Sequence, residues 1–170
     1  VFNFVIDIYQ KKLFNKKRIV DLIYYNRDHP NKSDNSQIKL IKEFKNKFVI
    51  YIVGNKLSIS GIKNLGFIKR KKLISILAKS KFVLNSSENF YTLFVMDALN
   101  QGCNIVNNNL VPTNIFDKKK FIILKKNFKK NIFLFNKALI NFEEKKYEKI
   151  TTANYPIIKN KISNYIDKIK

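Results

Sequence analysis

One cysteine, four glycines, three prolines, twelve acidic side chains and no tryptophan occur in the 170 residues, and each scarcity excludes something. The lone Cys103 removes a disulfide framework and any zinc cluster built on cysteines. So little Gly and Pro, beside 45% hydrophobic residues, excludes a collagen-like or disordered chain. No run of about 18 uncharged apolar residues exists, so no membrane-spanning helix is expected. There is no glycine-rich dinucleotide fingerprint, no phosphate-loop sequence and no metal-ligand cluster, and no metal site is expected. Arginine is scarce as well. Arg18, Arg27 and Arg70 are three of 34 basic side chains.

What is abundant is lysine, giving a formal net charge of +22. Such a balance raises nucleic-acid binding, because lysines neutralise phosphates and release counterions. Two features weigh against it. Base readers favour the arginine fork, and the lysines lie in pairs along the whole chain, as at Lys11-Lys12, Lys71-Lys72 and Lys145-Lys146, rather than on one arm. Lys, Asn, Ile, Phe and Tyr make up 102 of 170 residues. Adenine- and thymine-rich codons encode all five, so genome bias accounts for the charge without a ligand. No specific nucleic acid is expected as a partner, while the cationic surface favours peripheral contact with anionic lipid. The length fits one domain with a sizeable core. The chain starts at Val1 with no signal-peptide pattern, which reads as a fragment lacking an N-terminal part.

Hydrophobic periodicity alternates short apolar runs with amphipathic helices. Strands are expected at 1–8, 19–25 (IVDLIYY), 48–53 (FVIYIV), 62–68, 82–84, 105–106 and 121–124. Helices are expected from the capping residues Ser33, Asp34 and Ser36 to about Asn46, at 71–80, at 92–100 with Gly102 as its terminating glycine, at 128–142 and at 155–169. In the 71–80 helix, Leu73, Ile74, Leu77 and Ala78 face inward and Lys71, Lys72, Ser75 and Lys79 outward. Continuous apolar strands alternating with helices specify a doubly wound parallel α/β sheet with C-terminal helices. Residues 1–17 read as a linker and 18–170 as the α/β domain. Ligands of such sheets bind at the carboxyl ends of the strands.

Two loops there carry candidate chemistry. The first, Asn26-Arg27-Asp28-His29-Pro30-Asn31-Lys32, sets Arg27 and Lys32 five residues apart, within reach of one phosphate; a solvated turn is the plain alternative. The second, Ser86 to Asp97, runs into a helix whose N–H groups and dipole favour a diphosphate. A carboxylate at Asp97 could take ribose hydroxyls; the alternative is simple capping, with Asp97 exposed. The single His29 reads as solvated and Cys103 as a small core residue.

Together these segments resemble the C-terminal, nucleotide-sugar-binding half of group 1 (family 4) glycosyltransferases of the GT-B fold. LIYYNRDHPNKS is similar to the family's glycine–arginine loop with a lysine five residues on, matching Arg27 and Lys32. IYIVG matches the strand ending at Gly54, and NLGFI the short strand at Gly66. NSSENFYTLFVMDALNQGCNIV resembles the signature P-S-x-x-E-G-F-G-L then E-A-x-A-x-G. Asn26 replaces the loop glycine, Asn89 stands in register with the first signature Glu, Glu88 is one residue off, and Asp97 replaces the second.

The resemblance implies a Rossmann-like donor-binding half of a hexosyltransferase-type enzyme. Such an enzyme moves a sugar from a nucleotide diphosphate sugar to a glycan, lipid or polysaccharide precursor, as in cell-envelope polysaccharide synthesis. The acceptor-binding N-terminal domain would be the absent partner, so the fragment alone should be inactive. The donor is substrate, and no other cofactor is implied. Arg27, Lys32 and Glu88 would be catalytic. Asn26, Gly54, Ser87, Asn89, Phe90, Tyr91, Thr92 and Asp97 would bind the donor, Asp97 at its ribose. A cytoplasmic enzyme, peripheral at the inner face of the membrane, is the implied location. A non-catalytic domain of the same type and a basic, sequence-indifferent nucleic-acid-binding module are the alternatives.

Overall fold

The computed structural model describes residues 17–29, 35–85, 92–108, 121–124 and 127–142. The expected strand at 1–8, most of the linker at 1–17 and the helix at 155–169 lie outside the described residues.

Six strands form one sheet: β1 (Val20–Asn26), β2 (Ile50–Gly54), β3 (Lys63–Gly66), β4 (Ser80–Leu84), β5 (Asn104–Asn108) and β6 (Phe121–Leu124). Their order is β3-β2-β1-β4-β5-β6, and every pairing is parallel. Among the described residues four helices accompany them: α1 (Asn35–Phe44), α2 (Arg70–Leu77), α3 (Leu93–Asn100) and α4 (Phe128–Ile140). The doubly wound expectation holds, because both faces of the sheet are covered.

Strand alternation distributes side chains between two cores. Leu22 and Tyr24 of β1 join Leu40, Ile41 and Phe44 of α1 and Phe135 and Leu139 of α4. Phe135 closes that layer edge-on, 5.2 Å from Phe44 and 5.6 Å from Phe82. Ile23 points the other way, toward Leu77 of α2 and Phe94, Val95, Ala98 and Leu99 of α3, and Val20, at the start of the strand, joins that second core. Central strands buried on both faces are why FVIYIV reads as an unbroken apolar run and IVDLIYY as one interrupted only by Asp21.

The ends of elements differ from expectation for local reasons. The Phe48 ring lies tilted against that of Phe44 at 5.3 Å and its N–H bonds the Phe44 carbonyl, so it closes α1 and β2 starts at Ile50. Ser80 belongs to β4, not α2; its hydroxyl donates to the Ile76 carbonyl at 2.7 Å, ending the helix at Leu77. Ser75 and Lys79, expected outward, are half-buried, as are Leu73 and Ile74, expected inward. Gly102 ends α3 as foreseen. At φ 74° its N–H bonds Leu99 while Cys103 N–H bonds Ala98, the paired geometry that a left-handed glycine permits.

Candidate functional site

In this strand order the connections leave β1 and β4 toward opposite sides, so a crevice opens between their carboxyl ends. Both candidate loops leave from there. Asn26 ends β1 and is buried at 5% exposure. Its Nδ2 donates to the Asn55 carbonyl at 2.9 Å, and Asn55 N–H returns a bond to the Asn26 carbonyl at 2.9 Å. Gly54 is needed beside it: φ is +94°, and a Cβ there would collide with the Asn26 carbonyl oxygen. Asn26 and Gly54 therefore tie the ends of β1 and β2 together and set the direction in which the chain leaves β1.

Arg27 follows, half-buried, with its guanidinium carbon 6.0 Å from the centre of the Tyr25 ring. Tyr25 in turn stacks on Phe94, the second residue of α3, at 4.9 Å and 30°. Arg27 is thus carried on an aromatic pair that reaches the first turn of α3. Thr92 caps that helix, its hydroxyl oxygen accepting from Val95 N–H at 3.3 Å.

Asp97, one turn further, is buried rather than exposed. It is 2% exposed, and both carboxylate oxygens accept from Arg70, Oδ2 from Nε at 2.9 Å and Oδ1 from Nη2 at 2.7 Å. The hydrogen bond and the charge of Asp97 raise the Arg70 pKa above its usual value. Arg70 was not foreseen as a site residue. The available signal was that it is one of only three arginines, sitting at the start of a lysine-rich helix. Asn85 was also missed. It follows β4 directly and is fully buried; its N–H bonds Val106 O at 3.2 Å and its carbonyl accepts from Gln37 Nε2 at 2.7 Å. Among the described residues neither polar atom of its side chain has a partner.

Tyr25 of β1 packs with Phe94, Val95 and Ala98 of α3 on one face of the sheet; Arg27 follows Tyr25, Thr92 caps α3, Asp97 lies one turn after Phe94, and Asn26 and Gly54 end the neighbouring strands. Lys32, Ser87, Glu88, Asn89, Phe90 and Tyr91 lie outside the described residues. Among the described residues no group of three or more His, Cys, Asp or Glu side chains could hold a metal ion, and no helix is long and apolar enough to cross a membrane.

No known protein family matches the sequence, and no curated protein does either. Solved structures do match. Anabaena Alr3699/HepE, in complex with UDP and glucose, is similar with a TM-score of 0.58 at 13% identity, over 75% of this chain and 40% of that one. The pneumococcal O-GlcNAc transferase GtfA, in complex with UDP and GlcNAc, gives 0.55 at 16%, over 85% of this chain and 33% of that one. A GtfA/B complex gives 0.54 at 16%, over 74% and 29%. The chain spans less than half the length of each. The shared feature is the fold, an α/β doubly wound sheet of the kind found in glycosyltransferases.

Proposed function

We propose that this chain is the donor-binding half of a glycosyltransferase that uses a nucleotide diphosphate sugar. The observation that carries the reading is Arg27, mounted on Tyr25 and Phe94 at the β1/β4 crevice, beside the start of α3. A departing nucleoside diphosphate gains charge as the bond to the sugar breaks. A fixed guanidinium and oriented helix N–H groups stabilise that charge without reorganising. Lys32, five residues on in sequence, would add a second point charge, and Glu88 or Asn89 would contact the donor sugar or phosphates. The UDP bound in two of the similar structures supports this ligand class.

A second α/β half would bring the acceptor, a glycan, lipid or polysaccharide precursor, and the whole enzyme would be of hexosyltransferase type, with the family 4 group as its nearest kind. The basic surface suits a cytoplasmic protein touching the anionic face of a membrane.

The test is titration of the chain with UDP and with ADP. Arg27→Ala should weaken binding by one to two orders of magnitude, the loss of a charge-assisted hydrogen bond. Lys71→Ala removes an equal charge from an exposed position and should change it little. Equal weakening by both would mean that only the overall +22 field attracts the nucleotide, and would sink the proposal.

A further inference from the structure

The pairing of Asp97 with Arg70 has an asymmetry that packing alone does not explain. The carboxylate is 3% exposed and the arginine side chain 61% exposed. A buried ion pair that serves the core hides both partners; desolvating a carboxylate costs several kcal/mol, and an apolar pair of similar volume commonly does as well. Here one edge of the guanidinium, Nε and Nη2, is engaged by Asp97, while Nη1 has no partner among the described residues. Both oxygens of Asp97 are used to fix an outward-facing cation.

Its position matters. Phe94 and Asp97 are three residues apart on α3 and so lie on one helix face, one above the other. Phe94 supports Tyr25 and through it Arg27; Asp97 supports Arg70. Two of the three arginines in a chain that otherwise uses lysine are therefore tied to successive turns of the same helix, Arg27 through Tyr25 and Arg70 directly. Lysines 69, 71 and 72 surround Arg70, yet it is the planar fork, not a flexible ammonium, that meets the carboxylate.

We propose that Arg70 is a second cationic arm of the crevice, contacting the phosphate portion of a nucleoside diphosphate, and that Asp97 is its positioning residue rather than a ribose contact. This rests on the donor-site reading above. It assigns the arm to two residues that reading does not need.

The test measures binding of UDP, ADP and inorganic pyrophosphate to the 170-residue chain by calorimetry, with melting followed by circular dichroism. Asp97→Asn is the sharpest variant, because charge and geometry predict opposite signs. Removing a negative charge near an anion should tighten binding if only the field matters; loss of the hold on Arg70 should loosen it, about tenfold. The double variant Asp97→Leu/Arg70→Met removes the buried charge together with its partner, keeps the fold, and should weaken binding ten- to a hundredfold. Unchanged or tighter binding by Asp97→Asn, or wild-type binding by the double variant, overturns the arm. If Arg27→Ala still loses binding in that case, the donor site stands without it. If the wild-type chain binds none of the three probes, both proposals fall together.

Discussion

The two edges of the sheet are made from the same kinds of residue and finished differently. At the amino edge polar groups close on one another. Arg18 donates to the carbonyls of Ser80 and Gln101, fastening the start of β4 to the end of α3. Asp21 accepts from Lys81 at 2.6 Å and from Val49 N–H at 2.9 Å, joining β1, β4 and the approach to β2. Cys103 Sγ lies 3.2 Å from the Leu77 carbonyl. At the carboxyl edge Arg27 lies near the Tyr25–Phe94 pair, Arg70 is held by Asp97, and the Asn85 side chain has no partner among the described residues. The amino edge is tied together by charged hydrogen bonds, and the carboxyl edge is where the proposed ligand would sit. Substitutions at the amino edge should lower stability without touching nucleotide binding.

The largest effect should come from the close approach of Gly54 to Asn26 on the carboxyl edge. Gly54→Ala places a methyl against the Asn26 carbonyl at a φ of +94°, so both strain and collision act. A loss of about 3 kcal/mol or more in urea unfolding is expected. A loss under about 1 kcal/mol would mean that the ends of β1 and β2 are free to part, and the rigid floor beneath Arg27 would be gone. Next comes Arg18→Met, which keeps the aliphatic stem and removes the fork. Two carbonyls then lose charged donors, for about 2 kcal/mol. Binding of UDP or ADP should stay within twofold, since Arg18 sits at the far edge from Arg27. Weakened nucleotide binding in that variant would break the division between the edges.

The fold was legible because each level of the sequence points the same way: buried parallel strands need unbroken apolar runs, and α3 carries its own start and stop in Thr92 and Gly102. Element ends shifted by a few residues where a tertiary contact intervened, as at Phe48 and Ser80. The site was legible only in part. Arg27 follows from its place after a strand, a local property. The Arg70–Asp97 pair joins residues 27 apart and depends on how α2 leans on α3, which periodicity does not encode. Asn85 reads as one of several polar turn residues; its complete burial comes from the packing of both faces around the end of β4.

Cys103 offers a pH-dependent test of the closed edge. Burial pushes its thiol up to about 12 from an ordinary 9.0, against the lowering pull of Arg18. Above pH 9.0 the unfolded chain releases this proton and the folded chain keeps it, so the unfolded state binds fewer protons. Stability must then fall as pH rises, by up to about 1.4 kcal/mol per unit for one group, until the folded thiol also ionises. Below pH 9.0 both states hold the proton and the contribution is constant. Cys103→Ala should flatten the decline between pH 9 and 12 relative to the wild type. Parallel curves for the two proteins would show the amino edge to be wetter than its geometry implies.

The smallest effect is the most telling, because its sign is opposite. Asn85 has its backbone fully engaged, by Val106 and Gln37, while both side-chain polar atoms are buried with no partner among the described residues. An unsatisfied buried amide costs about 1–3 kcal/mol, and an apolar group of the same shape escapes that cost. Leucine has the same branching at Cγ and a similar volume. Asn85→Leu should therefore stabilise the chain, by about 1 kcal/mol once imperfect packing of the larger methyl groups is allowed for. For a chain of this length that corresponds to a rise of roughly 2–4 °C in Tm. Ser80→Ala is the matched control at the other end of the same strand. Ser80 is equally buried, but its hydroxyl donates to Ile76, so its loss removes a formed hydrogen bond and should destabilise. Opposite signs at the two ends of β4 would locate the unfinished edge of the sheet at its carboxyl side, where a stability deficit is the expected companion of a site. A destabilised Asn85→Leu would instead show that the amide is satisfied in solution, and the carboxyl edge would be as closed as the amino edge.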